Sequence, residues 1–285
     1  MVKPAYSLNI RGKLLSLETP LVMGILNITP DSFHEASRMQ ESQAILYKAS
    51  KMLAEGADIL DIGAQSTRPG AEIISEEVEK SRIRGVISGI LQSHPDAIIS
   101  IDTFRSGVAK AAVEEGACMV NDVSGGDMDP RMFSFIAEND IPYIIMHHEG
   151  IPAGSNAADE SDKTGEVIHY FSEKINRLRA MGVKDLILDP GFGFGKNTSQ
   201  NLKLLRHLDR LEVFGLPILA GLSRKKTIQQ ILETNAAGTL NGTTVMNTIA
   251  LTKGASILRV HDVVEAKEAV RLFCAVEGME SGKNT

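Results

Sequence analysis

The chain has 285 residues, 43% of them hydrophobic and 23% charged, proportions close to those of ordinary globular proteins and far from disordered, collagen-like or coiled-coil compositions. Lys and Arg number 30 against 36 Asp and Glu, a formal net charge of −6, which argues against a nucleic-acid binder that relies on a broadly basic face. Length alone leaves one or two domains open, since about 150 residues per domain is only a prior and α/β barrels spend about 250 on one. Cys118 and Cys274 are the only cysteines; they lack disulfide-framework or CxxC spacing and read as small buried apolar residues. The first residues carry no signal-peptide core, and no run approaches the roughly 18 apolar residues of a membrane span. The expectation is a soluble, cytoplasmic protein without membrane contact.

Taken in chain order, residues 6–17 have strand-like apolar spacing around Arg11-Gly12-Lys13 and predict a hairpin. Short runs rich in Ile, Val and Leu follow at 21–26, 59–62, 97–101, 119–123, 143–146, 186–188, 217–220 and 257–260. Helical spacing occupies 42–53, 76–91, 105–115, 130–138, 164–181, 200–211, 225–233 and 239–253. The phrases Glu55-Gly56-Ala57, Glu115-Gly116-Ala117 and Lys253-Gly254-Ala255 repeat one device, a glycine ending a helix just before the next strand. Such an alternation predicts an α/β fold, a (β/α)8 TIM barrel whose bottom is closed by the N-terminal β-hairpin. A doubly wound open sheet is the alternative, because periodicity does not reveal closure. No linker rich in Pro, Gly or Ser divides the chain, so one domain over 1–285 is expected. The stretch 149–161 reads as a loop, and 29–40 and 64–75 are long enough to cover a site.

Each run ends in polar residues: Asn27, Asp61, Asp102, Asn121 with Asp122, His147, Asp189, Ser223 to Lys225, and Arg259 with His261. In a barrel these ends share the mouth where active sites are built. Any one of them is explained as a turn or helix cap, as Asp102-Thr103 is before a helix; the full set points to a site. Arg68, Lys225, Arg259 and His261 read as a group around a phosphate or pyrophosphate, helped by N–H groups of the helix opening near Ser223. Asp102, Asn121 and Asp189 offer acceptors and one amide donor, a pattern suited to a flat heterocycle with adjacent N–H and amino donors. Lys225 then meets that ring's carbonyl or ring nitrogen, and Arg259 stacks on its face. Met146 reads equally as a polarizable ring contact or as core. Asp189-Pro190-Gly191-Phe192-Gly193-Phe194-Gly195-Lys196-Asn197 has neither Walker nor dinucleotide spacing and reads as a strand end whose glycines admit a close backbone approach. His147-His148-Glu149 lacks HExxH geometry, so no transition-metal site is expected there.

The segments Met23-Gly24-Ile25-Leu26-Asn27-Ile28-Thr29-Pro30-Asp31-Ser32-Phe33, Asp61-Ile62-Gly63-Ala64-Gln65-Ser66-Thr67-Arg68-Pro69-Gly70, Ser100-Ile101-Asp102-Thr103, Asn121-Asp122, 189–197, Ser223-Arg224-Lys225 and Arg259-Val260-His261-Asp262 together resemble the dihydropteroate synthase family, in order, from about residue 21 to 262. That resemblance implies a folate-pathway transferase joining 6-hydroxymethyl-7,8-dihydropterin pyrophosphate to para-aminobenzoate, with Mg2+ and release of pyrophosphate. It implies a pterin site of Asp102, Asn121, Met146, Asp189, Lys225 and Arg259. Asn27 would take Mg2+ and, with Arg259 and His261, the pyrophosphate; Thr67, Arg68 and Pro69 would form the para-aminobenzoate side. The catalytic set is then Asn27, Asp102, Lys225, Arg259 and His261. A homodimer through late helices such as 239–253 and inhibition by sulfonamides are implied as well. The chain departs from the family pattern at His34-Glu35-Ala36-Ser37-Arg38, at Lys226 and at Met146-His147-His148-Glu149.

Two other readings compete. Methyltetrahydrofolate-corrinoid methyltransferases resemble the family in fold and pterin site but need no pyrophosphate pocket, so Thr67, Arg68, Pro69, Arg259 and His261 favour the synthase. A non-catalytic pterin-binding protein would have no need of every strand-end residue expected for turnover.

Overall fold

The computed structural model describes residues 6–28, 35–65, 72–150 and 161–279, with backbone alone for 35–42. The chain opens with an antiparallel pair, β1 (Ser7–Ile10) and β2 (Lys13–Ser16), in which Ser7 faces Ser16 and Ile10 faces Lys13. Arg11 and Gly12 turn the hairpin at φ 52° and 83°, the left-handed pair that matches the twist of a two-residue hairpin loop.

Eight parallel strands then close into a barrel: β3 (Leu21–Asn27), β4 (Ile59–Gly63), β5 (Ile98–Asp102), β6 (Met119–Asp122), β7 (Tyr143–Met146), β8 (Leu186–Asp189), β9 (Ile218–Ala220) and β10 (Ala255–Val260). Pairing of β10 with β3, from Ile257 opposite Leu21 to Val260 opposite Gly24, completes the ring and removes the open-sheet alternative. Strand side chains alternate between two apolar clusters, as a period of two requires. Val22, Leu26, Leu60, Ile62, Ile99 and Ile101 pack outward with the helices. Met23, Ile59, Met119, Ile144, Ile187, Leu219 and Ile257 fill the lower barrel, where Leu8, Ile10 and Leu17 from the hairpin segment join them. The hairpin is therefore a stopper for the barrel bottom.

The helices are α1 (Glu35–Ala54), α2 (Glu76–Ile83), α3 (Val86–Ser93), α4 (Ser106–Glu115), α5 (Met132–Glu138), α6 (Thr164–Ala180), α7 (Thr198–Arg206), α8 (Lys226–Ile231), α9 (Leu240–Thr252) and α10 (Val263–Glu277). The single helix expected over 76–91 is two, separated at Gly85, whose φ of 74° breaks the helical ladder. The helix expected over 200–211 stops at Arg206 and continues as a 3-10 turn, Leu208–Phe214. Helix α10 lies beyond the expected set, whose eight members were already used because α8 and α9 both lie between β9 and β10. Gly56, Gly116 and Gly254 end their helices at φ 99°, 120° and 93°, as their repeated phrase predicts. No helix among the described residues is long and apolar enough to cross a membrane.

Candidate active site

The alternation that points Ile59, Met119, Ile187 and Ile257 into the barrel brings Asp61, Asn121, Asp189 and Arg259 inward one step higher. Cross-barrel bonds bear this out. Arg259 donates from Nε to Asp61 Oδ2 at 2.6 Å and from Nη2 to Asp102 Oδ2 at 2.6 Å. Asn121 Nδ2 donates to the same Asp61 oxygen at 2.9 Å. One guanidinium, with side chain 19% exposed, is thus held along its edge by two buried carboxylates, an arrangement that leaves its planar face open to a flat partner.

Two carboxylates share one cation, so charge is not balanced. Burial raises the Asp102 carboxyl to about 7, Arg259 opposes the shift, and Asp61 adds to it. The two carboxylates raise the Arg259 guanidinium further against its own burial. The remaining oxygens, Asp61 Oδ1 and Asp102 Oδ1, are buried without a hydrogen-bond partner among the described residues. A buried acceptor left unpaired is costly; a ligand offering N–H groups would satisfy them. A Cβ added to Gly63 would lie 3.4 Å from Asp102 Cβ and 3.6 Å from Asn27 Oδ1, so the small residue leaves the space where the amide of Asn27 and the carboxylate of Asp102 approach.

Across the mouth, Asp189 ends β8 and accepts the Gly191 N–H through Oδ1 at 2.8 Å. Burial pushes its carboxyl upward while Lys225 restrains the rise. Lys225 Nζ donates to the Phe192 carbonyl and lies 4.8 Å from the centre of the Phe194 ring. Burial lowers its ammonium to about 8, opposed by Asp189. Met146 packs with Phe104, Val123 and Phe194 as an apolar wall. Asp102, Asn121, Asp189, Lys225, Met146 and Arg259 therefore line one mouth, as their strand-end positions predict.

His261, grouped by the sequence with Arg68, Lys225 and Arg259 around an anion, carries no charge of its own at rest. Its Nδ1 lies 3.0 Å from Ser223 Oγ, and its backbone N–H donates to the same oxygen at 3.2 Å. Burial lowers its pKa to about 4, with Arg224 and Arg259 contributing, so the imidazole is neutral near pH 7. Arg224, at φ 57°, donates from Nε to Asp262 Oδ2 at 3.0 Å. Helix α8 has six residues and begins after Lys225. Thr67, Arg68 and Pro69 lie outside the described residues, as do residues 29–34 and 66–71 of the loops 29–40 and 64–75.

Asp122 faces away from this chemistry. Its oxygens accept from Ser124 N–H and Oγ–H, the Gly126 N–H and the Tyr143 hydroxyl, which makes it a turn-holding carboxylate. His147 meets the Tyr170 ring at 5.0 Å, while His148 Nε2 lies 2.9 Å from the Ser124 carbonyl. Two features of the site go beyond what the sequence assigns. Asp61, which the sequence marks as a run-ending polar residue without a role, is the point where Arg259 and Asn121 meet. Lys196 is 4% exposed, an unusual environment for lysine; its glycine-rich surroundings hint at it without assigning it.

The family model described as "Pterin binding enzyme" matches residues 23–261. Dihydropteroate synthase of Synechocystis sp. is 42% identical over 90% of this chain and 88% of its own. Among solved structures, Xanthomonas albilineans dihydropteroate synthase with 4-aminobenzoic acid superposes with a TM-score of 0.87 at 37% identity, covering 97% of this chain and 99% of that one. The same enzyme in complex with 7,8-dihydropteroate gives 0.83 at 35% identity, covering 96% and 100%. The chain belongs to the pterin-binding enzymes and, within them, to the dihydropteroate synthase family.

Proposed function

We propose that this chain, as one domain over 1–285, condenses 6-hydroxymethyl-7,8-dihydropterin pyrophosphate with para-aminobenzoate to give 7,8-dihydropteroate and pyrophosphate. The observation that carries the reading is the guanidinium of Arg259 held edge-on between Asp61 and Asp102, whose two Oδ1 atoms are buried without a partner among the described residues. A pterin supplies the matching parts: a flat face for the cation and an edge of adjacent N–H and amino donors for the carboxylates. Asn121 has committed its amide N–H to Asp61, so its carbonyl remains to accept from the ring. Asp189 Oδ2 and the ammonium of Lys225 serve the other edge, and Met146 the face.

The reaction breaks the bond between the exocyclic methylene and the pyrophosphate oxygen, with the electron pair leaving on oxygen. Positive charge spreads over the electron-rich dihydropterin, and ionised Asp102 balances it within the low-dielectric mouth. The neutral aniline nitrogen of para-aminobenzoate attacks the methylene and forms the new C–N bond, and the proton it then gives up passes to the released pyrophosphate or to water. No protein nucleophile takes part. Asn27, Arg259 and His261 face the departing pyrophosphate, and Thr67, Arg68 and Pro69 the para-aminobenzoate. His261, neutral in the free protein, offers an N–H or takes a proton as the anion accumulates.

Mg2+ fits this site in one particular way. Among the described residues no group of three His, Cys, Asp or Glu could hold an ion, whereas Asn27 places an amide oxygen at the end of β3. Mg2+ commonly takes one or two protein oxygens together with substrate phosphates and water. Bound there, it would supply positive charge toward the leaving pyrophosphate. Location in the cytoplasm and a homodimer are part of the proposal; α9 exposes Leu240, Val245 and Ile249, apolar surface for a second copy.

The test is pyrophosphate release from the two substrates, with and without Mg2+. Release dependent on para-aminobenzoate supports the reading. Pterin binding without release, or methyl transfer from methyltetrahydrofolate to a corrinoid, overturns it.

A further inference from the structure

Lys196 closes the glycine-rich segment after β8 and has no part in the chemistry above, yet it is 4% exposed. Its ammonium donates to the carbonyls of Gly191 at 3.0 Å and Phe194 at 3.2 Å, and reaches that of His147 at 3.5 Å. Among the described residues its hydrogen bonds go to three carbonyl oxygens, while the charges of Glu149 and Asp189 oppose the loss of its own. Keeping a charge out of water is costly, and groups so placed cluster at functional sites. A buried lysine is also readily pushed toward neutrality, and burial lowers this one to about 7.

What the three carbonyls have in common is their position. His147 directly follows Met146 at the end of β7, and Gly191 follows Asp189 at the end of β8 by two residues. Between the two β8-side carbonyls lies that of Phe192, which accepts from Lys225. One turn therefore sends its carbonyls to two lysines, 191 and 194 to Lys196 and 192 to Lys225. Gly191, Gly193 and Gly195 make that division possible at φ 68°, 81° and 78°, and a Cβ on Gly191 would collide with the His147 carbonyl. The Gly191 N–H also fixes Asp189 Oδ1. Without the ammonium, three carbonyl dipoles would converge with no donor between them, and the turn would relax outward.

We propose that Lys196 is a positioning residue for the pterin: by gathering the carbonyls of His147, Gly191 and Phe194, it holds Met146, Asp189 and the Phe192 seat of Lys225 in the arrangement that receives the ring. The proposal rests on the pterin reading of the mouth. It differs from a purely structural role because it assigns Lys196 to one substrate and not the other.

The experiment compares wild type with Lys196→Met and Lys196→Gln, measuring thermal midpoint, direct binding of the dihydropterin pyrophosphate, and KM for each substrate. Lys196→Met should weaken pterin binding and raise its KM by tenfold or more, leaving the para-aminobenzoate KM within twofold. Lys196→Gln, which keeps an N–H donor, should recover part of that loss. Pterin affinity within twofold of wild type in both variants overturns the proposal, as does an equal rise in both KM values or the failure of both variants to fold. A wild-type protein that neither binds the pterin nor turns over would refute the functional reading instead, and so separates the two.

Discussion

The two ends of the same eight strands are chemically opposite. At the lower end the inward residues are Met23, Ile59, Met119, Ile144, Ile187, Leu219 and Ile257, sealed by Leu8, Ile10 and Leu17. One inward step higher, Asp61, Asn121, Asp189 and Arg259 replace apolar side chains. The lower layer leaves few groups to satisfy and contributes through burial alone. The upper layer keeps buried acceptors without partners among the described residues and carboxyls raised by desolvation. A barrel of this kind separates the task of staying folded from the task of binding within a rise of about two residues.

That division can be broken experimentally. The largest effect is expected from Arg259→Met, which leaves Asp61 and Asp102 buried without their shared cation. Loss of one partner from a buried pair costs about 3–5 kcal/mol, and kcat/KM should fall by about a thousandfold in steady-state assays. Ile187→Ala in the lower layer should remove about 2–5 kcal/mol of stability in denaturant titrations while both KM values stay near wild type. If it instead altered pterin affinity, the two layers would not be separable.

The pH dependence sharpens the contrast further. Turnover by the proposed mechanism needs Asp102 ionised and Lys225 protonated, with values of about 7 and about 8 in the free protein, so the kcat/KM profile should be a narrow bell between them. Lys225→Arg should move the alkaline limb upward, and Asp102→Asn should abolish the acid limb along with most activity; undiminished turnover in the latter would end its charge-balancing role. The stability consequence has a definite sign. Because the folded carboxyl lies above its unfolded value of about 3.9, Asp102 favours the folded state at low pH, and that contribution is lost as pH rises through about 7. Between pH 4 and 7, Asp102→Asn should therefore lose less stability than wild type.

The smallest change is expected on the outward face of β7. Tyr143→Phe removes one hydrogen bond to Asp122 and should cost about 1–3 kcal/mol, since the carboxylate loses a donor inside the protein, with kinetics unchanged.

The strands were legible because buried parallel strands read as short apolar runs, and Asp102, Asn121, Met146, Asp189 and Arg259 because they end or closely follow such runs. Parity did the sorting: Asn121 and Asp122 are neighbours, yet only Asn121 joins the mouth. Arg259 and Asp61 pair across 198 positions, so their contact exists only once β10 closes on β3, and no local pattern announces it. The break at Gly85 was invisible because 76–91 keeps helical spacing through a residue that helices tolerate at modest cost. Helix α10 was overlooked since two helices in the β9–β10 crossover had already supplied the eight a barrel requires.

The hairpin stopper also carries information about order in time. It precedes every barrel strand in the chain and its two strands pair with each other, yet the Asn9 N–H is held by Asp185 Oδ1 at 3.3 Å and the Arg11 guanidinium by the Ala117 carbonyl at 3.0 Å. Those partners arrive more than a hundred residues later, and Ile257 later still. Closing loops of that length is slow relative to forming a hairpin. The apolar face of the hairpin is therefore fully covered only once Ile257 of β10 has joined Leu8, Ile10 and Leu17 in one cluster, so a docked hairpin marks a completed ring.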